Sequence, residues 1–364
     1  MAQPTDLREL RGRVQQAVDD QIAAASRDLV EIGPELAPLI DAVAALLTGG
    51  KGLRASFLYW GHRAAGTPDS PELVRLAASM EFFQGAALLH DDVMDRSDTR
   101  RGMPSAHRAI ASLHEQRGWA GDAARFGEGA AILAGNLCLT WCDQLYATCG
   151  LPAGDLARGR PLFDRMRTQL MGGQFLDLLE SARGWDGLGL DERLRSARTV
   201  IRYKSAKYTI EQPLLIGALV GGVAEAALPL LSTYGLALGE AFQLRDDLLG
   251  VFGDPGATGK PAGDDLREGK RTALIAYAVD AAEPGDRRTL ETQLGREDLD
   301  ATGVDELRDI IKRSRSVERV EALIDDCAQR ARTSLAAAAE AGRLDASAVG
   351  VLDELVLIST ERRS

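Results

Sequence analysis

Apolar residues return every three to four positions through most of this chain, the spacing of amphipathic α-helices. Leu7, Leu10, Val14 and Val18 set that rhythm within 6–31. A second helix is predicted over 34–48, stopping at Gly49-Gly50, where glycine readily ends a helix. The pattern predicts further helices at 52–65, 71–95, 104–116, 127–148, 161–182, 190–206, 208–222, 226–252, 271–281, 304–313, 316–340 and 346–361. Short Gly-, Pro- and Asp-rich breaks fall at 66–70, 117–126, 149–160, 183–189 and 253–270. None has the character of a flexible interdomain linker, and no segment repeats at a fixed period. The simplest organisation is one all-α domain over 1–364.

Composition strengthens that picture. Aromatic residues make up only 5% of the 364, and runs of Val, Ile and Thr that favour strands are scarce. A net charge of −11 without an extended basic patch argues against nonspecific nucleic-acid binding. Cys138, Cys142, Cys149 and Cys327 form neither a CxxC pair nor a His/Cys cluster, so they read as reduced, mostly buried thiols. The start, MAQPTDLRELRGRV, lacks an apolar signal core. The apolar stretch 213–239 is broken by Glu225, Pro229 and glycines, which fits a core helix pair better than a membrane span. The expectation is a cytoplasmic protein without a transmembrane segment.

The chemistry concentrates where apolar helices end in acids. In GAALLHDDVMDRSDTRRGMP (85–104), Asp91, Asp92, Asp95 and Asp98 follow an apolar run and precede Arg100 and Arg101. Asp91 and Asp95 share a helix face about 6 Å apart along the axis, where like charges repel. The pattern returns in GEAFQLRDDLLGVFGDP (239–255), with Asp246 and Asp247 beside Gln243. Two such helices facing each other would build a carboxylate metal site. With few His or Cys ligands nearby, the ion is a hard one, and magnesium suits best because it shares its coordination with phosphates and water. Asp325-Asp326 has no third acid, glutamine or adjacent basic pair and reads as a solvated surface face. Lys51 and Arg54 in TGGKGLRASFLYW, Arg100 and Arg101, Lys204 and Lys207 in RYKSAKYT, and Lys260 in the 253–270 break supply cations. Together they describe a site that takes polyanions partly through metal and partly through Arg and Lys.

These residues resemble the trans-polyprenyl diphosphate synthases. The resemblance rests on GGKGLR (49–54), DDVMD followed by RRG (91–102), KS (204–205), FQLRDD (242–247) and GDPGATGK (253–260). It covers about 45–275, leaving N-terminal helices in 1–44 and C-terminal helices in 276–364. It implies the isoprenoid-synthase fold, a helical bundle around a deep central cavity, usually as a homodimer. The implied reaction condenses isopentenyl diphosphate with an allylic diphosphate in the 1'-4, trans sense and releases pyrophosphate.

Residue by residue, the resemblance makes Asp91 and Asp95 magnesium ligands supported by Asp92. Asp246 matches the main ligand of the second motif, with Asp247 a helper and Asp264 an outer partner; three magnesium ions per site are implied. Lys51, Arg54, Gln84 and Arg101 match positions that hold isopentenyl diphosphate. Arg100, Lys204, Gln243 and Lys260 match those around the allylic diphosphate. The catalytic set is thus Asp91, Asp95, Arg100, Lys204, Asp246 and Lys260. Ser205, where the family usually has threonine, keeps a hydroxyl; with Thr209 it could help stabilise an allylic cation. No side-chain nucleophile is needed, and His90, His107 and His114 read as packing or hydrogen-bonding residues. A sharper departure is Gly250, standing where the family usually carries a third aspartate.

Product length should be set along the helix leading to Asp91. The resemblance places early-stopping rings at positions that here hold Ala86 and Ala87, so a C15 limit is not expected. Phe82 and Phe83 lie about one turn, roughly 5 Å, deeper. That points to geranylgeranyl diphosphate (C20), with C25 or longer if both rings point aside. Two other readings are a class I terpene cyclase, which would need a second metal motif mixing Asn, Ser or Thr with Glu, and a non-catalytic partner subunit. The first lacks its motif here, and the second sits poorly with both acidic clusters and the basic positions retained.

Overall fold

The computed structural model describes residues 5–185, 187–253, 263–296 and 298–360. Its helices are α1 (Thr5–Ile32), α2 (Ala37–Leu47), α3 (Leu53–Arg63), α4 (Pro71–Met94), α5 (Ala106–Gln116), α6 (Ala123–Thr148), α7 (Ala153–Arg183) and α8 (Leu190–Val200). After α8 the chain continues as a π-helix, Ile201–Glu211, and then as α9 (Gln212–Gly221). There follow α10 (Leu228–Phe252), α11 (Asp264–Arg267), α12 (Ala273–Ala281), α13 (Pro284–Gln293), α14 (Ala301–Arg313), α15 (Ser316–Gly342) and α16 (Ala346–Thr360). The all-α expectation holds. Among the described residues the only strands are the two-residue pair Thr99–Arg100 and Met103–Pro104, joined antiparallel.

Helix α4 is the central element. Ser70 caps it by accepting from the Leu73 amide at 3.2 Å, and Pro71 sits in its first turn, where a missing N–H costs nothing. Leu73, Leu76, Met80, Phe82, Phe83 and Leu89 are all essentially buried, so apolar residues surround the helix rather than forming a stripe. Helices α1, α3 and α6 pack against it. A second long helix, α10, joins two apolar clusters. Tyr234, Leu238 and Phe242 belong to the cluster that includes α4, whereas Leu244, Leu248 and Val251 pack with residues of α12, α14 and α15. Each of these two helices delivers its acids near its C-terminal end.

Besides the strand pair and the one-turn α11 inside the 253–270 break, three longer elements differ from the pattern-based expectation. The predicted helices 190–206 and 208–222 are one continuous rod, α8 through α9. The wider i→i+5 turns of the π segment shift the apolar phase, which reads along the sequence as a break. Helix α7 begins at Ala153, well before Pro161, which a sequence reading takes as a start signal. Tyr146 stacks on Phe163 with centroids 4.2 Å apart, and Gly159 lies against Val220 and Ile216, so packing holds the turns on both sides of the proline. Helix α13 was not expected; it buries a single large residue, Leu290. All four cysteines are free and buried, and Asp325 and Asp326 are exposed. No described helix is long and apolar enough to cross a membrane.

Candidate active site

Acids at the C-terminal ends of helices face the negative pole of the helix dipole, so α4 and α10 both carry them where they are intrinsically unfavourable. Cations from three other segments offset this. Asp91 Oδ1 accepts from Lys204 Nζ at 3.1 Å and from Gln174 Nε2 at 2.7 Å, and its Oδ2 lies 3.6 Å from Arg100. Lys204 also donates to Asp177 at 2.6 Å. Asp92, 2% exposed, is held by the Arg100 guanidinium, whose Nε donates at 2.9 Å. Asp247 is buried in α10 and accepts from Gln243 at 2.8 Å. Lys270 ties Asp95 of α4 to the acids of the α11 segment: its ammonium lies 3.8 Å from Asp95, 3.4 Å from Asp265 and 2.5 Å from Glu268.

Local structure explains these placements. The π segment carrying Lys204 is gripped by two glycines. A methyl group at Gly173 of α7 would come within 2.4 Å of the Tyr203 backbone, and one at Gly239 of α10 within 2.5 Å of Ala206. Only glycine allows backbones this close. Arg100 and Arg101 are presented by the strand pair, whose turn residues Arg101 and Gly102 both have positive φ (55° and 76°), as a type I′ turn requires. Arg101 Nη1 then reaches the carbonyls of Leu46 and Thr48 at 2.8 and 3.2 Å.

The remaining positions expected at the site lie on the surrounding elements, apart from one outside the described residues. Arg54 is buried and donates to the Tyr208 hydroxyl and Thr209 Oγ1 at 2.5 and 2.9 Å, with its guanidinium over the Tyr208 ring. Lys51 is exposed on the turn before α3, and Gln84 shares a recess with Arg101 between α2 and α4. Ser205 is buried on the π segment one residue after Lys204. Asp246 is half-buried beside Asp247. Asp264 opens α11, next to Asp265. Phe82 packs edge-on against Trp141, Phe83 against Tyr208, and Ala86 is buried with Ala87 half-buried a turn above them. Lys260 lies outside the described residues. His90, His107 and His114 meet Ile132 O, Ser105 Oγ and Ala120 O, in keeping with the bonding roles expected.

Sequence reasoning did not single out Gln174 and Asp177; Asp265 and Lys270 stand out in the sequence only as charged residues of the long 253–270 break, without a role. The signal in GGQFLDLL (172–179) was the same one, polar residues at i and i+3 inside an apolar helix, but with a single acid it looks ordinary. Asp265 resolves the departure at Gly250. A Cβ at position 250 would sit 1.9 Å from Asp265 Oδ2. The space of a side chain missing from α10 is filled by a carboxylate from α11.

These donors fit a hard divalent cation. They are carboxylates, and Asp95 Oδ2 and Asp247 Oδ2 are buried without a hydrogen-bond partner, a costly state unless something positive completes them. Among the described residues no three acidic, His or Cys groups converge closely enough to hold an ion alone.

Electrostatics separate the acids. Burial opposes ionisation of Asp91, but Lys204, Lys270 and Arg100 overcome it and hold the group well below the usual carboxylate range. Burial and the neighbouring charge of Asp91 push Asp95 up to about 7. Burial, with Asp265 and Asp246 close by, pushes Asp247 to about 8. Unfolded aspartate titrates near 4, so between about pH 4 and 8 the native state keeps protons that the unfolded chain has released, and stability falls as pH rises. Stability in chelator, followed by thermal melting, is therefore expected to fall between pH 5.5 and 8, by at most about 1.4 kcal/mol per pH unit for each group. A flat profile would contradict the burial of these two carboxyls.

Comparison with known proteins agrees with this fold. The family model described as polyprenyl synthetase matches residues 37–311. The chain belongs to the polyprenyl synthetase family. It is 30% identical to a geranylfarnesyl diphosphate synthase of Aeropyrum pernix, over 86% of this chain and 84% of that protein. Its fold superposes with a TM-score of 0.91 on a geranylgeranyl pyrophosphate synthase from Corynebacterium glutamicum solved with isoprenyl diphosphate and magnesium, at 35% identity, covering 98% and 99% of the two chains. A polyprenyl synthase from Caulobacter crescentus, solved with calcium and isoprenyl diphosphate, matches with a TM-score of 0.74 at 28% identity, covering 97% and 98%. As a polyprenyl synthetase, the chain has the all-α fold of isoprenyl diphosphate synthases.

Proposed function

We propose that the chain, acting as one domain, is a magnesium-dependent prenyltransferase that condenses isopentenyl diphosphate with an allylic diphosphate, all-trans, chiefly to C20. The observation that carries this reading is the pair of acid-ended helices α4 and α10, bridged by Lys270 at Asp95 and by its partner Asp265 beside Gly250, with a separate set of cations around Arg54 and Arg101. One polyanion is met at each place. Asp91, Asp95 and Asp246, supported by Asp92, Asp247, Asp264 and Asp265, would hold the metal, which supplies Lewis-acid neutralisation of the departing diphosphate.

The chain's own residues do the rest. Lys204 and Arg100, already at the acids, take the oxygens of the allylic diphosphate, with Gln243 and Lys260 alongside. Lys51, Arg54, Gln84 and Arg101 hold isopentenyl diphosphate so that its double bond faces the ionising carbon. The hydroxyls of Ser205 and Thr209 and the carbonyls of the π segment stabilise the cation, and the final proton leaves with pyrophosphate. Purified protein given labelled isopentenyl diphosphate, farnesyl diphosphate and magnesium should make a longer prenyl diphosphate. A hydrocarbon product would establish a cyclase instead, and no turnover a partner subunit.

Product length follows from the two rings. Phe82 turns to Trp141 of α6, whereas Phe83 turns to Tyr208 on the same π segment that brings Lys204 to Asp91. Phe83 is therefore the proposed floor of the elongation tunnel. Phe83→Ala should shift the extracted alcohols from C20 to C25 and longer, and Phe82→Ala should not; the reverse pattern would move the floor to Phe82.

The homodimer is proposed on an apolar surface. Phe126, Ile132 and Leu133 of α6 and Met171, Phe175 and Leu178 of α7 are exposed, with Phe175 at 65%. These helices also carry Gln174 and Asp177, so a second copy seated here would steady the acid-binding side of α7. Sedimentation should give twice the chain mass, and a monomer with full activity would contradict it. A cytoplasmic setting is proposed with the diphosphate substrates.

A further inference from the structure

Arg54, Arg101 and Arg11 crowd one corner of the molecule, and an acid, Glu81, faces them. Glu81 lies on α4, almost three turns before Asp91. It is only 8% exposed, yet its Oε1 has no hydrogen-bond partner. The groups acting on it are the guanidiniums of Arg54, Arg101 and Arg11 and the amide of Ala55. With Gln84 and Arg101 it lines the recess walled by Leu46 and Leu47. A methyl placed on Gly50 would lie 3.4 Å from both Glu81 Oε2 and Arg101 Nη2, so acid and guanidinium converge on the same turn. Burying a carboxylate here is costly, and nothing in the reaction chemistry uses one.

We propose that Glu81 is a positioning residue for the isopentenyl diphosphate half of the site, the fixed counter-charge that keeps Arg54 and Arg101 together while no diphosphate is bound. This rests on the functional reading above. Arg54 is anchored behind to Tyr208 and Thr209, and Arg101 to the Leu46 and Thr48 carbonyls. Those contacts fix each guanidinium but leave their mutual repulsion uncompensated. Glu81, inside the protein between α2 and α3, offsets it from behind and leaves the outer N–H groups for the ligand.

The sign of one substitution separates this role from simple electrostatics. Glu81→Gln keeps the shape and removes the charge. If Glu81 only added negative potential near a diphosphate site, its removal would tighten binding. A positioning role predicts the opposite: the KM for isopentenyl diphosphate and its directly measured Kd, by calorimetry without metal, both rise about tenfold, equivalent to ~1.4 kcal/mol. The KM for the allylic diphosphate and kcat at saturation stay within twofold of wild type. Glu81→Asp, keeping the charge, should recover most of the affinity. An unchanged or lowered isopentenyl diphosphate KM overturns the proposal. So does a parallel rise in both KM values with a lowered melting temperature, which would make Glu81 a packing residue. Should the wild-type chain show no condensation at all, the functional reading fails by itself, while the calorimetric comparison still judges Glu81.

Discussion

Replacing Asp91 with asparagine should lower condensation by about a thousandfold or more, the scale on which removing a preorganised charge from a transition state is felt. Asp91 is where the site's elements meet: Lys204 from the π segment, Gln174 from α7 and Arg100 from the strand pair all converge on it. The substitution keeps the shape and removes the charge that two cations and the proposed metal share. Lys204 retains Asp177 as partner, so the fold should survive and melting should change little. The measurement is single-turnover condensation with magnesium saturating, alongside Asp246→Asn as the matching change on α10. Turnover within tenfold of wild type for both would remove the acids from the mechanism.

The second large effect is expected at Gly250, where restoring the aspartate that the family usually carries should harm this protein. The added Cβ would meet Asp265 Oδ2 at 1.9 Å and its Cγ at 2.4 Å. Asp265 would have to leave, and its contact with Lys270 at 3.4 Å would go with it. Gly250→Asp also adds a charge beside the buried Asp247. We expect a loss of ~2 kcal/mol in chelator, less than the ~3–5 of a fully buried unpaired charge because position 250 is half-buried. Turnover should fall at least about tenfold, ~1.4 kcal/mol in the barrier. Gly250→Asp combined with Asp265→Gly should recover much of both, since it moves one carboxylate across a shared space. A single variant that melts higher or turns over faster would show that Asp265 does not stand in for the absent acid.

Helical character, most element positions and both acidic clusters were legible because they rest on local rules. Apolar spacing reports which face of a helix is buried, and acids ending an apolar run contradict both burial and the helix dipole, so they stand out. Arg54, Arg100 and Lys204 were legible by resemblance, since their motifs stand intact in the chain. Gln174 and Asp177 were not, because on α7 nothing local distinguishes them from solvated polar residues. Only the approach of the π segment over Gly173 turns them towards Asp91 and Lys204.

The sequence alone therefore determined an all-helical chain with two acid-bearing helices and cations to match, since period and charge are properties of neighbours along the chain. The tertiary structure decided which acid fills the space at Gly250, which of two adjacent phenylalanines faces Tyr208, and that Glu81 sits among arginines. Each of these depends on a contact between residues far apart in sequence, whose geometry is fixed by close packing and leaves no periodic trace.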